Sequence, residues 1–233
     1  MPVPGMVLAR RSLLPGSAIT IAEIPRTQLP GLQVEPAARA WMICCSYISN
    51  AGCDADSNLM PDNLIFEGKC WKFGHNVPSD ALIGGQVMFK TIREMAEHVL
   101  ENLNPDFPKQ RQPGDILVAG RNFGCSSGRA LAVKALQATG IGCVVAELFS
   151  RTFYRNAAEI GLPMLEAPGI HELVETGDRL RVDVKTGMVE NLTSGKSLRG
   201  NPPSEFMLEM VEAGGLIPLL KGGEFFARYG GSR

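Results

Sequence analysis

The chain has 233 residues, of which 45% are hydrophobic and 20% charged, and its formal net charge is −1. This length suits one sizeable domain with attachments or at most two small ones, and the composition is that of an ordinary globular protein. The near-neutral charge gives no electrostatic case for nucleic acid or a membrane surface, so we expect neither as a partner.

The spacing of the cysteines argues against a metal site within this chain, and the lengths of the apolar runs argue against a membrane-spanning segment. Six cysteines are present, but they form no C-x-x-C pair and no ligand-like spacing with the three histidines. We therefore expect no zinc or iron–sulfur site held by this chain alone, and we expect reduced thiols. No apolar run approaches the ~20 residues that span a bilayer.

Residues 1–62 form an irregular, proline-rich N-terminal extension. Arg10 and Arg11, with no acidic residue before Glu23, are compatible with an organellar targeting peptide. Prolines and glycines in the same stretch would break an amphipathic helix. We expect a disordered or loosely packed extension of a cytoplasmic protein, with organellar targeting as the alternative.

From Asn63 onward the sequence alternates between strand-like and helix-like segments. Leu64–Phe73 predicts a strand pair around a turn at Gly68, and Thr91–Leu103 predicts an amphipathic helix. The following predicted elements are strand 115–119, a helix beginning near Arg129, strand 142–146, helix 149–160, a hairpin of 180–184 and 188–192, and a last helix 203–213. This order indicates an α/β domain over residues 63–222 with some parallel pairing, followed by a tail, 223–233.

The motif N-F-G-C-S-S-G-R, at 122–129, stands between a predicted strand and a predicted helix. Free N–H groups and the positive end of the dipole make a helix N-terminus attractive to anions. Ser127 is the candidate base, because the dipole and the Arg129 guanidinium would both stabilise its alkoxide. Arg129 is also a candidate carboxylate clamp. The alternative is that Ser126 and Ser127 only cap the helix and that Arg129 is an ordinary surface residue.

A second polar cluster occupies residues 73–86, after the first predicted strand. Asp80 could orient a group or accept a proton there, or it could simply form an Asx-turn or a helix cap. A single histidine in a polar loop, His75, is expected to be solvated. Cys125 is expected to be packed or merely exposed, since no histidine lies near it in sequence. The run 153–156 is expected to pack behind the site.

Residues 64–221 closely resemble the small subunit of 3-isopropylmalate dehydratase, the swivel domain of the aconitase superfamily. The matching stretches include I-F-E-G-K-C-W-K-F-G-H-N-V-P-S-D-A-L-I, P-G-D-I-L-V-A-G-R-N-F-G-C, F-Y-R-N-A-A-E-I-G-L-P and E-A-G-G-L-I-P-L-L-K. The short segment between the first two is similar to the short-loop branch, which includes homoaconitase small subunits. The resemblance implies a swivelling β/β/α domain with a mixed sheet.

The resemblance also implies half of a two-subunit site. In this family a separate large subunit carries a [4Fe–4S] cluster, and a di- or tricarboxylic acid binds between the subunits. This chain would then hold no cofactor of its own. The resemblance implies Ser127 and Asp80 as catalytic residues, since Ser127 lies in the family motif N-F-G-C-G-S-S-R-E-H and Asp80 matches the family's other active-site turn. It implies a substrate-binding set of Arg129, Ser126, Ser79 and Gly128.

Several positions depart from the family pattern. Gly128 stands at the second serine, Ser126 at a glycine and Ser79 at a threonine. Elsewhere Ala130-Leu131 replaces Glu-His, Gln86 replaces a common arginine and His75 a common aspartate. We expect Ser126 to supply the hydrogen bond that Gly128 lacks, since both belong to one turn.

Two residues in the substrate-reading loop indicate the substrate. Phe89, expected to be buried, would disfavour an unpaired carboxylate, whereas an inward Lys90 would favour one. The resemblance therefore implies a hydro-lyase subunit that isomerises a 2-alkylmalate, foremost 3-isopropylmalate in leucine biosynthesis. The alternatives are a homoaconitase-like or dimethylmalate-type subunit, and a non-catalytic binding or regulatory paralogue with a degenerate serine loop.

Overall fold

The structure is a computed structural model that describes residues 63–222. The expected extension, 1–62, and the expected tail, 223–233, lie outside the described residues, as do Cys44, Cys45 and Cys53.

The described residues form one seven-stranded sheet with helices. The strands are β1 Ile65–Lys72, β2 Ile116–Phe123, β3 Cys143–Phe149, β4 Met164–Glu166, β5 Arg179–Asp183, β6 Met188–Asn191 and β7 Lys196–Arg199. The helices are α1 Ser79–Leu82, α2 Ile92–Ala96, α3 Phe107–Gln110, α4 Ala130–Ala138, α5 Arg151–Glu159, α6 Ile170–Leu173, α7 Glu205–Glu212 and α8 Leu216–Lys221, with a 3₁₀ turn at Gly85–Val87.

The sheet is mixed, and β1 joins its two halves. The strand order is β4-β3-β2-β1-β5-β6-β7. The first four strands of that order pair in parallel, whereas β5, β6 and β7 add to β1 in antiparallel fashion. The sheet curls so that its two edge strands approach each other. The amide of Asn201, just after β7, donates to the carbonyl of Glu166 in β4 at 2.7 Å. The predicted mixed α/β swivel-type architecture is confirmed.

Alternation along the central strands divides the core between two faces. In β2, Leu117 and Ala119 face a cluster that includes buried side chains of α2, α4 and α5. Ile116 and Val118 face a second cluster, which β5, β6 and α6 complete. Fully buried parallel strands read as continuous apolar runs, which is why the sequence of β2 shows no polar alternation.

The predicted turn at Gly68 is wrong, because β1 is one continuous strand. Gly68 lies opposite Leu180 in the ladder to β5, so its backbone is ordinary strand. A Cβ added at Gly68 would overlap the carbonyl oxygen of Gly114. The glycine therefore serves close approach between backbones and does not form a turn.

The predicted helix over Thr91–Leu103 is too long. It begins as expected, since Thr91 caps α2 in a reciprocal capping box with Glu94. It ends at Ala96, and Leu100 adopts a left-handed φ of 58° while its amide donates to the Leu82 carbonyl. Burial of Met95, Ala96, Val99 and Leu100 nevertheless follows the predicted apolar spacing.

The other predicted elements are found with shifted ends. Both predicted strands, 115–119 and 142–146, continue to a phenylalanine. The predicted hairpin forms, and its turn contains Gly187 with a φ of 76°. The predicted last helix corresponds to α7, but α8 follows it, so it is not the last. Among the described residues, no helix is both long and apolar enough to cross a membrane.

We expect Gly68→Ala to lower the free energy of unfolding by at least about 2 kcal/mol, because the new methyl group has no room. Urea unfolding followed by circular dichroism measures this change. Gly74→Ala is the matched control, since a Cβ there meets nothing within 4 Å. Its effect should stay within about 0.5 kcal/mol. Equal effects of the two substitutions would contradict the close-packing role of Gly68.

Candidate active site

The loops that follow β1 and β2 are joined by backbone hydrogen bonds. The Asn76 amide donates to the Arg121 carbonyl at 2.8 Å, and the Gly124 amide donates to the Val77 carbonyl at 2.8 Å. The Ser79 amide completes the series by donating to the Cys125 carbonyl at 2.7 Å. The two loops therefore run side by side beyond the strand ends, and their side chains meet at the carboxyl edge of the parallel sheet.

The second loop needs an unusual backbone. Asn122, Gly124 and Ser126 have φ angles of 63°, 74° and 78° in the left-handed region. Asparagine and glycine adopt this conformation readily, but serine does so at a cost. A Cβ at Gly124 would overlap the ring of Phe153, so this glycine is required by space as well as by φ.

Three serines form the centre of the cluster. Ser79 Oγ lies 2.7 Å from Ser127 Oγ and 3.3 Å from Ser126 Oγ. Ser79 is buried, with 3% of its surface exposed, whereas Ser127 is half-buried and Ser126 exposed. Ser127 can therefore be reached from solvent, and Ser79 supports it from inside the protein.

An ion pair lies beside the serines. Arg129 Nη1 is 3.0 Å from Asp80 Oδ1, and the Ser126 hydroxyl donates to Asp80 Oδ2 at 3.1 Å. The side chains of Arg129 and Asp80 are 45% and 53% exposed, so water screens the pair. Another anion can replace Asp80 on the guanidinium at little cost. Arg129 Nη1 also contacts the sulfur of Met88 at 3.1 Å.

The N-terminus of α4 is open. Its N-cap residue is Arg129, without a side-chain cap, and its first turn has no acidic residue. Neither Ser126 nor Ser127 caps the helix, so the capping alternative is wrong. The positive end of the dipole faces the serine cluster, and the nearby carboxylate of Asp80 pairs with the Arg129 side chain and the Ser126 hydroxyl.

Sequence reasoning missed the residue that braces the turn. Asn156 Nδ2 donates to the Gly128 carbonyl at 3.0 Å. The F-Y-R-N run was a usable signal, but we expected it only to pack behind the site. Phe153 does pack there, with 2% of its surface exposed. Gly128 itself has room, since an added Cβ would lie 3.6 Å from Thr152 Cγ2.

The structure does not bring every predicted residue into the serine cluster. Phe89 is 94% exposed, so the expectation that it is buried is wrong for the chain by itself. Lys90 is also exposed, and both follow Met88, the residue that contacts Arg129. His75 lies apart, because its Nδ1 accepts the Arg121 amide at 2.9 Å and its ring packs on His171.

Two of the three described cysteines, Cys70 and Cys143, are buried and do not suit a metal cluster. Burial raises the pKa of Cys70 to about 12, and burial also raises the pKa of Cys143. Iron–sulfur clusters bind thiolates, which these residues do not supply. Within residues 63–222, no group of three or more His, Cys, Asp or Glu side chains could hold a metal ion.

The part of the chain that contains the site matches known proteins. The family model for the aconitase C-terminal domain matches residues 79–168. The isopropylmalate/citramalate isomerase small subunit of Methanocaldococcus jannaschii is 49% identical over 158 residues, which cover 67% of this chain and 94% of that protein. The 3-isopropylmalate dehydratase small subunit of Caldicellulosiruptor bescii is 44% identical over 160 residues, covering 68% and 96% respectively.

A solved structure agrees with these relatives. The crystal structure of 3-isopropylmalate dehydratase from Methanocaldococcus jannaschii has a TM-score of 0.66 and 34% identity, and the match covers 72% of this chain and 99% of that one. The serine turn, the curled mixed sheet and these matches lead to one assignment. The chain belongs to the family of 3-isopropylmalate dehydratase small subunits, which is built on the aconitase C-terminal domain.

Proposed function

We propose that this chain is the small subunit of a hydro-lyase that isomerises a 2-alkylmalate-type acid by dehydration and rehydration. Its substrate would be 3-isopropylmalate, as the names of its relatives suggest, and its pathway leucine biosynthesis. The observation that carries the proposal is the half-buried Ser127 hydroxyl, which lies two residues before Arg129, the N-cap of a helix without a side-chain cap.

Ser127 is proposed as the base. Its Oγ lies in reach of solvent, and the α4 dipole and the Arg129 guanidinium both favour its charged form. The alkoxide would take the carbon-bound proton of the acid, and the electron pair of that bond would form the double bond. In the hydration direction the Ser127 hydroxyl would return the proton to carbon.

Arg129 is proposed as the carboxylate clamp. In the structure Asp80 Oδ1 lies 3.0 Å from Arg129 Nη1, and a substrate carboxylate would replace Asp80 there. Asp80 would then remain hydrogen-bonded to Ser126, which holds the turn in shape. Asp80 would therefore orient the side chains of the site. Ser126 and Gly128 would lie beside the bound acid.

A larger partner subunit completes the proposal, since the relatives are named small subunits. We propose that the partner carries a [4Fe–4S] cluster. Bound there, the cluster would supply the Lewis acid that draws the hydroxyl from the substrate. The described residues of this chain hold no set of donors for it, so its own share is proton transfer and carboxylate binding.

The loop that includes Phe89 and Lys90 is proposed to select the substrate. A ring that is 94% exposed on the chain alone can form an apolar wall once a partner covers it. Such a wall suits an alkyl group better than a carboxylate. Homocitrate and dimethylmalate remain the alternative substrate types, and citramalate joins them because a relative is named for it.

Coexpression with a cluster-bearing large subunit, followed by absorbance assays of the unsaturated acid, tests the proposal. We expect turnover of 3-isopropylmalate. We expect Ser127→Ala to lower kcat by about 10²–10⁴ because the base is lost, while gel filtration shows unchanged assembly. Wild-type rates in this variant would remove Ser127 from the role. Binding of the acids without turnover would favour the non-catalytic paralogue.

The altered serine turn can be tested at two of its glycines. We expect Gly128→Ser to keep the melting temperature, since the added Cβ has 3.6 Å of clearance from Thr152. Its hydroxyl adds a donor beside Ser127, so KM should fall by about 2–10-fold. Gly124→Ser is the matched comparison, and it should lower the melting temperature by several degrees because φ is 74° and Phe153 fills the space. A higher KM for Gly128→Ser would contradict this reading of the turn.

Substrate choice can be tested at Phe89. We expect Phe89→Arg to raise the ratio of kcat/KM for homocitrate over 3-isopropylmalate by about tenfold, because a guanidinium pairs with the extra carboxylate. Phe89→Leu keeps an apolar wall and should keep the wild-type preference. Steady-state kinetics with both acids measures the ratio. An unchanged ratio in Phe89→Arg would exclude Phe89 from the substrate wall.

A further inference from the structure

The hydroxyl of Ser79 lies among three atoms of one residue. It accepts the Ser127 amide at 3.0 Å, and it lies 2.8 Å from the Ser127 carbonyl oxygen and 2.7 Å from Ser127 Oγ. With 3% of its surface exposed, Ser79 is closed off from solvent. A group that is so enclosed does not suit direct contact with a substrate. We therefore look for its role in Ser127.

A count of protons shows that Ser79 has two possible arrangements. A serine hydroxyl has one proton to donate and two lone pairs to accept. The Ser127 amide occupies one lone pair, so one proton and one lone pair remain for the Ser127 carbonyl and the Ser127 hydroxyl. Ser126 donates its own proton to Asp80, so at 3.3 Å it can compete only as a longer and weaker acceptor of the Ser79 proton.

The arrangement depends on the charge of Ser127. While Ser127 is neutral, its hydroxyl donates to Ser79 Oγ, and Ser79 donates to the Ser127 carbonyl. After Ser127 loses its proton, it can only accept at Oγ. The Ser79 proton then turns about the Cβ–Oγ bond and is donated to the Ser127 oxyanion. No bond of Ser79 breaks, and its contact with the Ser127 amide persists in both arrangements.

We propose that Ser79 is a positioning residue that stabilises the Ser127 alkoxide by turning its single hydroxyl proton from the Ser127 carbonyl to Ser127 Oγ. This inference rests on the proposed role of Ser127 as the base. It replaces the expectation that Ser79 binds substrate directly. A buried donor at 2.7 Å, which needs only a rotation to respond, is preorganised for charge that appears on Ser127.

Within residues 63–222, the charged side chains in contact with the turn that contains Ser127 are Asp80 and Arg129. Asp80 and Arg129, from the two loops, form an exposed ion pair at 3.0 Å, and both remain in place when Ser79 is altered. The group that α5 contributes is the neutral amide of Asn156, and the segment after α1 contributes Met88. A change in the pH dependence of the reaction on altering Ser79 therefore reports on Ser127.

The test measures kcat and KM against pH in the reconstituted two-subunit enzyme with Ser79→Ala. Loss of the donor disfavours the Ser127 alkoxide, so kcat should fall by about 10²-fold. The acidic limb of the plot of kcat against pH should move to higher pH by about one to two units. KM should change less than about threefold, because Ser79 does not touch the acid. Ser79→Thr keeps the hydroxyl and should restore both the rate and the pH profile.

One further variant, together with Ser127→Ala, keeps the outcome unambiguous. Ser79→Cys preserves the shape with a weaker donor and should give an intermediate rate, which covers the case in which Ser79→Ala folds poorly. A kcat and pH profile for Ser79→Ala that match the wild type would overturn the inference. So would a loss of rate with an unmoved pH profile that Ser79→Thr does not repair, since that result indicates a structural role alone. Full activity in Ser127→Ala would instead overturn the proposed function.

Discussion

Parallel pairing of β1 with β2 continues past the ends of both strands, as a series of amide-to-carbonyl hydrogen bonds between the loops that follow. Residues as far apart in sequence as Ser79 and Ser127 are held within 2.7 Å by this series. The buried Ser79, the exposed ion pair of Asp80 and Arg129, and the open N-terminus of α4 all depend on it. Without the register, the serine turn would be a flexible loop between a strand and a helix.

The sequence predicts the order of the elements around the serine turn. The N-F-G-C-S-S-G-R motif predicted a strand, a turn and a helix start, and α4 begins with Arg129 as its N-cap. The pairing of Asp80 with Arg129 was beyond sequence reasoning, because it depends on how two loops lie side by side. Gly68 was misread as a turn, since a glycine for close packing and a glycine for a turn look alike in one sequence. The length of α2 was misjudged because Leu100 leaves the helix to bond with Leu82, a contact that periodicity does not encode.

The turn also explains how the exchanged residues fit. The family pattern has glycine where this chain has Ser126, and Ser126 adopts a φ of 78°, which glycine adopts without strain. At Gly128 the backbone has an ordinary φ and the space around it is open, so a side chain is permitted there. In this chain the position with the strained φ, Ser126, has a side chain, whereas the unstrained position, Gly128, has none. The hydrogen bond from Ser126 to Asp80 offsets part of that strain.

The hydrogen bond from the Asn201 amide to the Glu166 carbonyl brings the two ends of the sheet together. Edge strands offer unpaired backbone groups, and these are the usual starting points of unwanted strand addition between chains. The curl of the sheet covers the backbone of β4 at Glu166. Gly200 lies so near that a Cβ added to it would overlap the Glu166 carbonyl oxygen. Association through strand addition is blocked at this point of the sheet. A partner that approaches there must recognise side chains, which gives the fold a defence against aggregation while the subunit is still alone.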